Sequence, residues 1–174
     1  MRRLSSRVHA AGAREFASAP DFSQPERLVG LGFRYWLQGY KTGDISRWEK
    51  VWCTYSSALG PEAAKDAVCR LSGWVRTIDS HAHRALETSA GDCAAFCRDE
   101  CMAISMIAAC QHEACPAMRA CAFALLGCSM IDEVVTVAED FAATMRKADQ
   151  VLSPHHCTRL PLLAAMPAAT AARH

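Results

Sequence analysis

The sequence predicts an all-α protein, an up-and-down antiparallel bundle of about five to six helices. Two observations carry that expectation. Apolar residues recur at three- and four-residue steps from about Pro25 to Leu152, the repeat of helices that bury one face. No strand-like alternation interrupts them, and the breaks between segments are short and hold Gly or Pro, which suits consecutive helices packed side by side.

Helix one is expected from Pro25 to about Tyr40, with Ser23 as cap and Val29, Phe33, Trp36, Leu37 and Tyr40 on one face. Gly30 and Gly32 should weaken it by roughly 1 kcal/mol each relative to Ala, unless they permit close packing. Asp44 caps helix two, whose apolar face is Ile45, Trp48, Val51, Trp52, Tyr55 and Leu59. Gly60-Pro61 stops it and opens helix three, expected over 62–87 with Ala64, Ala67, Val68, Leu71, Trp74, Val75 and Ile78 inward. After the turn Ser89-Ala90-Gly91-Asp92, helix four is expected over 93–113 and a short helix five from Pro116 to Gly127. Ser129 and Asp132 read as the capping pair of helix six, which has Asp132 and Glu133 at its start and Arg146 and Lys147 near its end. Phe33, Trp36, Trp48, Trp52 and Tyr55 are the expected anchors of the core. The domain organisation is a disordered N-terminal tail over 1–22, a single helical domain over 23–153 and a loose C-terminal tail over 154–174.

Composition limits the function. With 174 residues, 51% of them apolar, the chain can build one sizeable core. A net charge of +1, with acids and bases interleaved, lacks the basic stripe of a nucleic-acid binder. The longest weakly polar run, Met102 to Cys110, is about half of the roughly 20 residues a membrane span needs. The N-terminus has Arg and Ser but no apolar signal region, so the expected location is the cytoplasm.

Cysteine is the outlier, with ten residues at 53, 69, 93, 97, 101, 110, 115, 121, 128 and 157. In a reducing compartment such thiols point to metal, redox chemistry or small core residues. Cys93, Cys97 and Cys101 follow one another at four-residue steps in CAAFCRDEC. On a helix they would form one slanted stripe, continued by Ile104, Ala108, Gln111 and His112, with Glu100 at its edge and Arg98 and Asp99 facing away. Cβ atoms at this spacing lie roughly 5–6 Å apart, too far for the roughly 3.5–4.5 Å of a disulfide. An ion about 2.3 Å from each sulfur fits the gap better. CQHEAC adds Cys110, His112 and Cys115 where helix four ends. The absence of any C-x-x-C excludes a zinc finger or ribbon.

The candidate ligands are thus Cys93, Cys97, Cys101, Cys110, His112 and Cys115, and the expected activity is binding a soft metal (copper, zinc or an iron–sulfur cluster) or sensing redox state. Over about residues 93–128 the chain resembles the copper-storage four-helix bundles, whose cores are lined by cysteines at C-x-x-x-C steps. That resemblance implies thiol-held copper inside a bundle. Helices one to three supply only Cys53 and Cys69, so a small cluster is expected here. The alternative is a non-enzymatic adaptor that offers a helix face to a protein partner, with the cysteines as packing. Nothing predicts an enzyme: there is no phosphate loop or His-Glu metalloprotease motif. His81 and His83 would diverge by about 200° on a helix.

Overall fold

The computed structural model describes residues 22–91 and 93–158, and among these the chain is helical without a strand. Seven helices follow in order: α1 Gln24–Thr42, α2 Ile45–Leu59, α3 Pro61–His81, α4 Arg98–Gln111, α5 Cys115–Leu126, α6 Asp132–Lys147 and the single turn α7 His155–Thr158. The all-α bundle expected from the periodicity is what forms. Of the expected N-terminal tail only Phe22 lies inside the described residues.

Four helices enclose the core, with α1 against α3 and α4, and α6 against the same two. α2 braces α1 and α3 from outside, and α5 lies mainly on α4. Trp74 of α3 is fully buried and stacks on Phe141 of α6 at 5.5 Å, with Phe33 of α1 on its other side at 5.8 Å. Phe33 and Tyr55 are core anchors as expected, whereas Trp52 is 42% exposed. Its seven-residue step from the 63% exposed Ile45 puts both on the outer side of α2. The glycines of α1, Gly30, Gly32 and Gly39, are sites of close approach. A Cβ at Gly30 would sit 2.6 Å from the Phe96 ring, and one at Gly32 2.6 Å from the Tyr55 hydroxyl.

The main departure from the expected layout lies between α3 and α4. α3 ends at His81 rather than 87, and α4 starts at Arg98 rather than 93. Residues 82–97 form a long crossover, so α3 and α4 do not pack on each other although they are consecutive. The cause is a buried cation. Arg34 of α1 and Glu100 of α4 are both fully buried, joined by Nε to Oε1 at 2.7 Å and Nη2 to Oε2 at 3.0 Å. The remaining Arg34 N–H groups donate to the carbonyls of Gly91 (3.3 Å), Cys93 (2.6 Å) and Ala95 (2.7 Å). All five guanidinium donors are used. Carbonyls turned toward a guanidinium cannot accept from N–H groups four residues on, so CAAF stays out of the helix its composition favours.

Neighbouring α1 side chains hold the same crossover. Tyr35 donates to the Gly91 carbonyl at 2.6 Å, Gln38 to that of Ser89 at 2.9 Å, and Lys41 to that of Leu86. Glu100 also accepts from the Ser89 amide (3.0 Å), the Ser89 hydroxyl (2.9 Å) and the Cys97 amide (2.7 Å). Beside it Asp99 is buried, not outward as expected, and forms a two-pronged pair with Arg84 at 2.9 and 2.6 Å. α6 begins at Asp132 with Ile131 in the cap position, so Ser129 does not cap it; the Ser129 carbonyl instead accepts from Ile131 in the preceding turn.

The packed chain also runs past 153, where a loose tail was expected. Beyond α6, Gln111 receives the Leu152 amide at 2.8 Å and donates to the Gln150 carbonyl at 2.9 Å. Glu26 then takes the Ser153 amide at 3.2 Å and His156 Nε2 at 3.0 Å, which seats α7 against α4 and α5.

Removing one partner of a buried ion pair strands the other, at a cost of about 3–5 kcal/mol. Arg34→Ala should therefore lower the urea unfolding free energy by that amount and loosen residues 82–97. Arg34→Met with Glu100→Met should recover only part of the loss, because the Ser89 and Cys97 amides then lose their acceptor. Urea titration of the three variants measures this.

Candidate functional site

The thiols of the CAAFCRDEC segment are not one stripe. Cys93 is exposed on the crossover, where its carbonyl is held by Arg34. Cys97 is the N-cap of α4, and only Cys101 lies within the helix. Cys97 Sγ donates to the Glu87 carbonyl at 3.3 Å, while Cys101 Sγ faces the Phe96 carbonyl at 3.8 Å. A cysteine at a helix N-terminus ordinarily has a lowered pKa. Here burial, reinforced by the Glu100 and Asp99 carboxylates, outweighs the helix amides and pushes the Cys97 thiol up to about 11. It is a neutral, hydrogen-bonded thiol. The geometry that favoured an ion shared by Cys93, Cys97 and Cys101 therefore does not arise.

The second predicted segment fares differently. His112 caps the C-terminus of α4, and its Nε2 meets the Leu152 carbonyl at 2.8 Å, so this nitrogen anchors the chain after α6. Cys115 is exposed at the first turn of α5. Cys110, in the last turn of α4, is half-buried. Burial pushes Cys110 up to about 12, with smaller upward contributions from Glu139, Cys115 and Cys157. Cys121 of α5 is wholly buried and likewise raised to about 12, first by burial and then by Cys110 and Cys157. Burial also raises Cys157 of α7. Helices α4, α5 and α7, which carry Cys110, Cys121 and Cys157, pack on one another, and charge on Cys110 or Cys157 would weigh against ionising Cys121.

Cys110 also lines a groove of about 360 Å³ between α4 and α6, with Glu113, Glu139, Arg146 and Lys147 among its walls. Among the described residues no three His, Cys, Asp or Glu side chains already form a set that could hold a metal ion, and none of the cysteines is in a disulfide. A four-ligand zinc site or a four-cysteine iron–sulfur cluster thus has no matching donor set here. A softer ion of low coordination number needs fewer donors than either.

Spacing concealed the cluster because its members lie on three elements, 11 and 36 residues apart in turn. The one available signal was His155-His156-Cys157, a His-Cys run within the expected C-terminal tail.

Thiol reactivity should follow this arrangement. In native, reduced protein Cys53, Cys69, Cys93 and Cys115, all exposed, should alkylate first. Cys110 and Cys121 should react only on unfolding or slow local opening. Timed alkylation read by peptide mass spectrometry checks the order.

No protein-family model, curated protein or solved structure matches this chain, so its function is read from geometry and chemistry alone.

Proposed function

We propose that the chain is a non-enzymatic soft-metal-binding protein that takes up Cu(I) at the α4–α5–α7 end, with Cys110, Cys121 and Cys157 as the thiols. What supports this reading is that Cys110, Cys121 and Cys157 lie on three helices that pack on one another, with burial disfavouring each anion and charge on Cys110 and Cys157 adding to it at Cys121. A redox-sensing or nucleophilic cysteine needs a lowered pKa to hold thiolate at neutral pH. These thiols are shifted the other way. A soft monovalent cation removes the conflict, because it neutralises the repulsion as the sulfurs lose their protons. Binding two thiolates to Cu(I) forms two S–Cu bonds and releases two protons to solvent, leaving one net negative charge. Arg146 and Lys147 beside the groove stand where that charge is compensated, and Glu113 and Glu139 line the approach for the incoming cation. The reducing conditions of a cytoplasm would keep both copper and thiols in the required state.

A second reading, as an adaptor for a protein partner, is favoured by the exposed Ile45 and Trp52 on α2. Ile45→Ser with Trp52→Ser would abolish such an interaction and leave Cu(I) uptake intact.

The reduced protein should bind Cu(I) in competition with a chromogenic chelator, releasing about two protons per ion in weakly buffered solution. Cys110→Ser with Cys121→Ser should remove that binding, whereas Cys93→Ser with Cys101→Ser should leave it. Binding that survives in the first variant and disappears in the second would place the ion elsewhere and overturn the assignment.

A further inference from the structure

We propose that the outer face of α5 is a docking site for the chain's own C-terminal segment, residues 160–166. The proposal does not depend on metal binding, and it concerns a different surface from Ile45 and Trp52.

The composition of α5 is the first observation. A surface helix ordinarily carries charge on the side away from the core, and one that is apolar all round is buried. Arg119 is the one charged residue of the twelve in α5, and it pairs with Asp132 at 3.1 Å. Met118, Cys121, Ala122, Leu125 and Leu126 fill the inner side. Opposite them Pro116, Ala120 and Phe123, at steps of four and three, make an exposed stripe. Phe123 is 55% exposed, and Met130 in the turn that follows is 71% exposed. α4 is comparably apolar beyond its first turn, but there every residue from Met102 to Ala109 is buried. α5 has the composition of a covered helix, and the described residues cover one side of it.

The second observation is where the chain leads. α7 packs on α4 and α5 and not on α1 or α2, so the described chain stops at Thr158 next to α5. Residues 160–172 follow as LPLLAAMPAATAA, without a charge. Leu160, Leu162, Leu163 and Met166 are large apolar side chains of the kind an uncharged stripe can bury. Residues 159–166 reach about 27 Å at most when extended, against about 18 Å for a helix of twelve residues. The segment can therefore lie along the whole stripe. A segment tethered this closely meets the face at an effective concentration of the order of millimolar. That favours it over a second copy or a separate partner at micromolar protein.

The full chain carries the test, from both sides of the contact. Hydroxyl-radical footprinting reads the Phe123 ring, and hydrogen exchange reads the amides of 160–166. Leu162→Asp with Leu163→Asp should raise oxidation of Phe123 about threefold or more, because the ring is uncovered. Phe123→Ser alters a side chain outside the core, and exchange over 160–166 should quicken about tenfold. Helical circular dichroism equal to that of the parent identifies the folded variants, and either one alone suffices. An unchanged response in a folded variant would overturn the docking. So would protection of Phe123 that rises with protein concentration alongside a dimer mass, which assigns the face to a second copy.

Discussion

A guanidinium placed inside a helical core must be surrounded by acceptors, and much of this fold follows from meeting that demand at Arg34. Burial works against its charge, but the bonds and charge of Glu100 more than offset this and hold it protonated. Glu100 meets only part of the demand, so the chain between α3 and α4 must supply carbonyls, and it does so from Gly91, Cys93 and Ala95. That requirement ends α3 early, starts α4 late and forces the crossover. Phe96 is thereby laid against Gly30 and over the guanidinium, at 5.0 Å from ring to cation. A buried pair of this kind need add little net stability over an apolar replacement. Its consequence here is positional.

Most of the bundle was legible from periodicity. Of the α3 stripe, Ala64, Ala67, Leu71, Trp74, Val75 and Ile78 are buried and Val68 is half-buried against them, and Asp44 and Gly60-Pro61 set the ends of α2 and the start of α3. The error at CAAFCRDEC has a physical origin. Ala, Cys and Phe at helical steps do favour a helix locally, and the carbonyls that leave it answer to a cation 57 to 61 residues earlier. An Arg between Phe33 and Leu37, on a face otherwise apolar, was the trace of it. Trp52 was misplaced for a related reason: the apolar arc of α2 is wider than the strip α1 and α3 cover, and Val51 and Tyr55 fill that strip.

The site was less legible because its residues share no local pattern. Spacing joined Cys93, Cys97 and Cys101, which the fold puts respectively on the crossover, at the cap and inside α4. The fold puts Cys110, Cys121 and Cys157, which no helical repeat relates, on three helices that pack on one another. Gln111 and His112 belong to this arrangement as anchors of the returning chain rather than as ligands. The sequence reading placed candidate ligands at both ends of α4, Cys93, Cys97 and Cys101 at one and Cys110, His112 and Cys115 at the other; the proposal keeps only Cys110 of these and adds Cys121 and Cys157 from α5 and α7.

That displacement is the central claim, and a protection footprint tests it most directly. Reduced protein is loaded with one equivalent of Cu(I), alkylated under partially opening conditions, and compared thiol by thiol with the metal-free protein. The account predicts joint protection of Cys110 and Cys121, extending to Cys157, with Cys93 and Cys101 unchanged. Protection confined to Cys93, Cys97 and Cys101, or none at any thiol, would contradict it.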